Sequence, residues 1–440
     1  MGFYRDFAQP AMIALARAGN RGVLVDVPLR NRLVEEKRQK FEATKAELAA
    51  VVGRSVNPDS AKQVQALLYD DLKLPIQRKR PPGGKGLGAV TSDEEAIKAL
   101  RRLAPQHSNV LTLVLDCRGL SKDVSGLMTP LETRADGQSY FVTTYNATGT
   151  VTGRVSSSAP IHTDAGGNMQ NQARGPARRI FKARSGMMLV KGDGSQAEAR
   201  VVAALMKDEK WLEQFRTPGY DVHVDNVTLI HGLSQDDVKA EAKMTPAERV
   251  VWRRARGIQT ADTRDSLRQQ CKPITHGAHY KGGPRAVSKI GDIPFQEAKW
   301  GLSKYTRARP LLARWWETVE QMLTTTRTLR TVWGRVRVFM GRLNDQTIRE
   351  AVAHEPQSTV ADLVNHAVFQ LDQDGAGVWY PLIQAHDEVV LEVPEALVDV
   401  AVTRLRHWLE YPLVYPELSC PLVIPADIKV GPNWYDMKEV

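Results

Sequence analysis

Three short segments, far apart in the chain, restrict its fold more than anything else in it. They are Asp193-Gly194-Ser195-Gln196-Ala197-Glu198, residues 268–280, and His386-Asp387-Glu388. The first and last each set an acidic residue at the end of an apolar run. Residues 187–192 read as a buried strand ending at Asp193. Residues 379–385 and 389–393 read as two apolar strands joined across His386-Asp387-Glu388, a hairpin with its acids at the turn. The middle segment is basic and helical. Arg268, Lys272, His276 and Tyr280 recur every four residues, a stripe that drifts slowly round one side of a helix.

Acid, base, acid is the pattern of a site that holds two divalent metals and a triphosphate. Aspartates on two adjacent strands can bridge two Mg²⁺ ions about 3.5–4 Å apart. Hard Mg²⁺ prefers oxygen and keeps waters, so few protein ligands suffice, and the Gly194 carbonyl is a candidate third. Taken singly, Asp193 reads more readily as a helix cap and Asp387 as a turn residue; the basic helix argues against both. Arg268 and Lys272 alone would read as a solvated face, which leaves the two rings unexplained. Cations at one end of the stripe suit the phosphates of a nucleotide, and rings at the other suit its sugar and base. His223, in Asp221-Val222-His223, is a candidate further phosphate contact, although a lone histidine is more often structural.

The 440 residues are 42% hydrophobic, enough to bury a large core in two or three lobes. No stretch approaches the roughly 20 apolar residues of a membrane span. There is no signal-peptide h-region, and Asp6 breaks the myristoylation pattern. Cys117, Cys271 and Cys420 lie far apart, which argues against disulfides and zinc and for a reduced cytoplasm. A net charge of +10 is weak evidence by itself for a polyanionic partner.

Along the chain, residues 3–18 read as a helix, 22–27 as a short strand and 29–52 as a long amphipathic helix. Ser60 is placed to cap a helix carrying Val64, Leu67 and Leu68. Residues 77–88 (QRKRPPGGKGLG) read either as a solvated loop or as a tip that lies along a phosphate backbone. Further helices open at Thr91-Ser92-Asp93-Glu94 and span residues 110–120, so this region reads as a helical arm rather than a packed globule. Residues 140–145 read as a strand, and helices dominate from Glu198 to about Arg330.

In order and spacing the three segments resemble motifs A, B and C of the family A DNA polymerases, the bacterial DNA polymerase I class and its phage relatives. Asp193-x-Ser195-Gln196-x-Glu198-x-Arg200 is similar to motif A, Arg268-x3-Lys272-x7-Tyr280 to motif B, and His386-Asp387-Glu388 to motif C. Thr148-Gly149-Thr150-x-Thr152-Gly153-Arg154-x-Ser156-Ser157-Ser158 resembles the family's template-gripping segment, with Asn168-Met169-Gln170-Asn171 its continuation. Trp333-Gly334-Arg335 and Val430-Gly431-Pro432-Asn433-Trp434 also match. The resemblance covers nearly the whole chain.

It implies an α+β right-hand polymerase fold: a palm with an antiparallel sheet, helical fingers and a helical thumb. Residues 1–27, 136–205 and 345–440 would be palm, 28–135 thumb and 206–344 fingers. It implies extension of a primer 3′-hydroxyl with dNTPs by two-metal nucleotidyl transfer, using two Mg²⁺ ions with Mn²⁺ as a substitute. Asp193, Asp387, Glu388 and Lys272 would be catalytic, with Asp193, Gly194 and Asp387 on the metals. Ser195, Gln196, Glu198, His223, Arg268, Lys272, His276 and Tyr280 would bind nucleotide, Glu198 and Tyr280 forming the sugar gate. Arg118, Lys122, Arg154, Asn168, Gln170, Asn171, Arg349, Gln357 and His386 would bind DNA. The implied partners are primer–template DNA, dNTPs and other replication proteins such as a separate exonuclease, with no membrane. The resemblance begins almost at Met1, so the expectation is a polymerase region without a proofreading domain, a compact layout that suggests a phage or mobile-element origin.

This chain departs from the family pattern in five places. His276 stands where the family usually has Phe or Tyr, and Lys281 where a glycine follows the tyrosine. Ala353 stands where Asn is common, and about seven residues within 161–167 are inserted. Pro273, inside the expected helix, removes a backbone donor and should kink it. A single-subunit RNA polymerase shares the metal aspartates and the basic helix, but the carboxylate at Glu198 argues against one. Intact Asp193, Asp387, Lys272 and Arg268 argue against a non-catalytic nucleic-acid-binding protein.

Overall fold

The computed structural model describes residues 2–79, 86–258, 263 and 265–440. The chain forms two compact units, one of Met1–Asp26 with Pro130–Val440 and one of Val27–Thr129.

The smaller unit is helical and has its own core. Its longest helices are Val27–Val52 and Ser108–Leu127. Ser60 caps Ala61–Gln65 through Gln63, and Asp93 caps Glu94–Leu103 through Ala96. Leu48, Val64, Leu67, Leu68, Ile97, Leu100, Leu111 and Val114 are fully buried together. Each such side chain contributes roughly 1.5–3 kcal/mol. The reading of this stretch as an unpacked arm is therefore corrected. The helix Val27–Val52 buries only Val34 and Leu48, so most of its surface is charged and suggests no core. The core forms only when four short apolar stripes converge. Of the loop 77–88, residues 80–85 lie outside the described residues. Its ends pair across an antiparallel bridge between Arg78 and Val90.

In the larger unit, α1 (Gln9–Arg21) leads into a small antiparallel sheet of Val23–Val25, Ser139–Phe141, Glu132–Thr133 and Phe181–Lys182. The strand expected over 140–145 divides in two. Thr143 leaves the ladder because its N–H donates to Gly19 and its hydroxyl to the carbonyls of Ser158 and Gly167. Thr144–Asn146 then pairs with Ser156–Ser158. The close approach requires glycine: a Cβ on Gly19 would lie 2.2 Å from the Thr143 carbonyl oxygen.

The central sheet consists of β1 (Met187–Gly194), β2 (Tyr380–Ala385), β3 (Glu388–Pro394), β4 (Ala426–Gly431) and β5 (Lys438–Glu439), in the order β2-β3-β1-β4-β5 and antiparallel throughout. Its two faces differ in character because side chains alternate along a strand. Val190, Val389, Leu391, Val393 and Ile428 form the apolar face. The other face carries Glu388, Asp193 and Asp427 in one cross-strand row and Val390, Lys191 and Lys429 in the next.

Helices supply the rest. α2 (Ala197–Leu205), α3 (Val222–His231), α4 (Leu267–His279), α5 (Phe295–Ala308) and α6 (Leu311–Thr325) share a core that includes Val201, Trp211, Phe215, Ile230, Cys271, Ile274 and Tyr305. α4 continues past Pro273 to His279. The proline costs it the backbone bond to the Gln269 carbonyl. α7 (Asp345–Gly375) and α8 (Val398–Leu409) cover the apolar face of the sheet. α8 packs so closely that a Cβ on Gly192 would lie 2.5 Å from Leu409 Cδ1. Among the described residues no helix is long and apolar enough to cross a membrane.

Candidate active site

Strand pairing brings the two key aspartates together. Asp193 lies near the end of β1, directly opposite Glu388 at the start of β3. Asp387 is the second residue of the two-residue turn between β2 and β3, whose first residue, His386, has φ +61°. The Gly194 N–H donates to the Asp387 carbonyl at 3.3 Å, fixing the turn against β1. Asp193, Asp387 and Asp427 border one cavity of about 540 Å³, together with Gly194, Ser195, Glu198, His223, Arg268, Lys272 and His276.

The charges in this cavity are crowded. Burial, then the carboxylates of Asp387 and Glu388, push the Asp193 carboxyl up to about 7. Burial raises Asp387 as well. Half-buried oxygen donors that repel one another suit hard divalent cations. Among the described residues no three His, Cys, Asp or Glu side chains form a ready metal cage. Mg²⁺ sites commonly take one or two carboxylates and complete their shell with water and substrate phosphates.

α4 supplies the opposite wall. Ser266 caps it through Gln269, and Arg268, Lys272 and His276 face the cavity in the spacing read from the sequence. Arg268 is paired with Asp221, Nη2 to Oδ2 at 2.5 Å. Burial, then Arg268, lowers the Lys272 ammonium. Burial pushes the His223 ring down to about 3; its Nδ1 lies 3.4 Å from Thr275 Oγ1. His276 is lowered by burial, then by Lys272 and Arg154. Its ring lies nearly parallel to that of Tyr280, centroids 6.4 Å apart.

Glu198, in the first turn of α2, joins three of these groups. One carboxylate oxygen accepts from Arg154 and the other from Tyr280 Oη, with His276 Nδ1 at 3.8 Å. Burial and the Asp387 charge work to raise this carboxyl. Together they push it up to about 8, while the Arg154 ion pair and the Tyr280 hydroxyl favour its charged form.

Gln196 is spoken for differently. At φ +54° it turns the chain from β1 into α2, and its side chain bonds the Tyr220 carbonyl and the Val222 N–H. It therefore anchors the start of α3 while itself bordering the cavity. Ser195 borders the cavity. Glu388 is also engaged: Lys191 Nζ and Trp434 Nε1 each lie 2.6 Å from one of its oxygens.

The DNA-contact candidates fall into three groups. Gln170, Asn171 and His386 border a second cavity of about 560 Å³, which Arg174 and Arg178 also line, on another side of Asp193 and Asp387. There Gln170 bonds Gln384, which bonds the His386 carbonyl, while Asn168 Oδ1 accepts from Ser157 and from the Asn171 N–H. Arg349 borders a third cavity of about 770 Å³ with Lys272, His276 and Tyr280. Ala353 and Gln357 follow at one-turn intervals on α7. Arg118 and Lys122 lie in the Val27–Thr129 unit. There Arg118 donates to the carbonyls of Pro58 and Ser92, and Lys122 is exposed.

Sequence reading missed Asp427, Asp221, Arg174 and Lys191. The alternation Ala426-Asp427-Ile428-Lys429-Val430 is a half-buried strand signal, and Asp221 immediately before an apolar helix is a capping signal. Lys191 interrupts an otherwise apolar strand, itself a clue.

A family model described as DNA polymerase family A matches residues 29–246 and 249–436. A thermostable DNA polymerase I from Thermus filiformis is 29% identical over 455 residues, covering 99% of this chain and 48% of that protein. DNA polymerase I from Pseudomonas aeruginosa is 27% identical over 445 residues, covering 98% and 44%. The chain thus spans about half the length of the curated relatives it matches. Among solved structures, the POL domain of Pol1 from M. smegmatis, in complex with DNA primer-template and dNTP, is similar at a TM-score of 0.76 and 25% identity. That match covers 98% of this chain and 70% of the other. The expected α+β class is the fold shared with that domain.

Proposed function

The chain belongs to DNA polymerase family A, and on that premise we propose that it extends a primer 3′-hydroxyl with dNTPs along a DNA template, releasing pyrophosphate. The observation that carries this reading is the cavity bounded by Asp193 and Asp387 on one side and by Arg268, Lys272 and His276 on the other. Negative groups that can hold cations face positive groups that can hold a triphosphate.

Asp193 and Asp387 would hold two Mg²⁺ ions, or Mn²⁺ in their place, with the Gly194 carbonyl a further donor. When bound, the metals supply a lowered pKa at the primer hydroxyl and charge neutralisation at the pyrophosphate. Lys272 and Arg268 grip the phosphates, Arg268 first leaving Asp221. His223 offers a neutral ring to the same phosphates. Glu198, held by Tyr280 and Arg154, fills the place a ribose 2′-hydroxyl would need. His276 and Tyr280 lie against sugar and base. Asn168, Gln170, Asn171, Arg349, Gln357 and His386 line the path of primer and template, and Arg154 faces the terminal pair.

In this reading the Val27–Thr129 unit is the thumb, with Arg118 supporting it from within and Lys122 free for backbone phosphate. Residues 206–344 are the fingers, and the central sheet belongs to the palm. The working location is the cytoplasm. Primer extension with dNTPs, with NTPs and without nucleotide tests the proposal. Template-directed extension with dNTPs is expected, and failure to extend in all three would overturn it.

A further inference from the structure

The carboxylate face of the central sheet carries a cation of its own, Lys191. It stands two residues before Asp193 on β1, and so on the same face, with Val390 on one side and Lys429 on the other. Its Nζ lies 2.6 Å from Glu388 Oε2, and its side chain is 19% exposed. The second Glu388 oxygen accepts from Trp434 Nε1 at 2.6 Å. The Arg178 guanidinium lies 3.8 Å from that same oxygen and stacks over the Trp434 ring at 3.7 Å. Glu388 is buried, so its charge is balanced by these neighbours rather than by water.

We propose that Lys191, with Trp434, withholds Glu388 from the metal pair, so that the divalent ions meet Asp193 and Asp387 but not this carboxylate opposite Asp193. This rests on the reading of Asp193 and Asp387 as the metal site. Lys191 is then a positioning residue. It acts on the metals by holding Glu388 in place, and it keeps their affinity below what a free carboxylate in the same row would give. Its ammonium also opposes cation binding directly through its own field. The two effects separate because only the first needs a charged Glu388.

The test is binding of Mn²⁺ alone to the full chain, without DNA or nucleotide, followed by the electron paramagnetic resonance signal of free Mn²⁺. Lys191→Met removes the cation at similar length, and Lys191→Gln repeats the comparison if the methionine variant melts early. Each is measured with Glu388 intact and in Glu388→Gln. The lost ammonium field tightens binding equally in both backgrounds. Release of Glu388 adds to it only where Glu388 is charged. Tightening is therefore expected to be at least about fivefold greater with Glu388 intact. Lys191→Arg, which keeps the charge, should stay within about twofold of wild type. Equal tightening in the two backgrounds, or none in either, overturns the proposal. Asp193→Asn should abolish the binding. If it leaves Mn²⁺ binding unchanged, the metal-site reading fails, and the proposal fails with it.

Discussion

If Glu198 is the sugar gate, Glu198→Ala should admit NTPs better relative to dNTPs. The Glu198 side chain is 15% exposed, and its two oxygens accept from Arg154 and Tyr280. Hydrogen bonds to a charged group contribute about 1.5–3 kcal/mol each, so moving this carboxylate aside for a 2′-hydroxyl costs about 3–6 kcal/mol. That corresponds to a discrimination of roughly 10²–10⁴. Truncation to alanine removes both restraints and the obstacle. Tyr280→Phe removes one restraint and should lower discrimination by roughly ten- to a hundredfold. The assay is single-nucleotide insertion, comparing kcat/KM for each dNTP and its NTP in wild type and both variants. The order of effect should be Glu198→Ala greater than Tyr280→Phe. An unchanged ratio in Glu198→Ala, or a larger effect from Tyr280→Phe, would place the sugar gate elsewhere.

Other consequences follow from the same geometry. Burial, Lys272 and Arg154 hold His276 below its ordinary value, so its ring is neutral above about pH 6.5 in the free protein; a triphosphate favours the protonated ring, so dNTP KM should fall as pH is lowered from 8 to 6. His276→Phe should flatten that profile and change the ratio of dNTP to dideoxynucleotide use; identical profiles and ratios would leave His276 as packing. Gly192→Ala should lower the melting temperature by about 2–6 °C, since its Cβ meets Leu409 and Leu405 in a filled core; a shift under one degree would contradict the close packing of α8. The sequence offers no second acidic constellation, so the 440-residue chain should leave primer 3′ ends intact in Mg²⁺ without nucleotide. Shortening of the primer that copurifies with the chain would show otherwise.

The elements of the candidate site were the most legible, because their signals are local. An acid closing an apolar run and a four-residue stripe each need only a dozen residues to be visible. Asp193, Asp387 and the stripe from Arg268 to Tyr280 line the cavities those patterns suggested. What was hidden depends on pairing across long separations. Asp427 faces Asp193 only through the register of β4 on β1, and Asp221 meets Arg268 only through the packing of α3 on α4. The anchoring bonds of Gln196 were hidden because its partners, Tyr220 and Val222, lie more than 20 residues on. The core of the Val27–Thr129 unit was missed for the same reason: its longest helix, Val27–Val52, buries only Val34 and Leu48, and Leu48 is buried with Leu100 and Leu111 only when the helices converge. The division of residues 140–145 was not readable at all. It turns on the backbone of Thr143 meeting that of Gly19.

The most direct test of the account replaces each metal-site aspartate by its neutral isostere. Asp193→Asn and Asp387→Asn keep size, but each removes one charge and turns one acceptor oxygen into an amide donor in a site proposed to hold two cations. Loss of such electrostatic stabilisation typically costs about 3–4 kcal/mol or more of barrier, so roughly 10³-fold in rate. The measurement is single-turnover extension of a primer–template, with binding of the same DNA followed separately by fluorescence anisotropy. Extension should fall by at least about 10³-fold in each variant while DNA affinity stays within a few-fold of wild type. Extension near the wild-type rate in either variant would contradict the claim that Asp193 and Asp387 are the catalytic carboxylates.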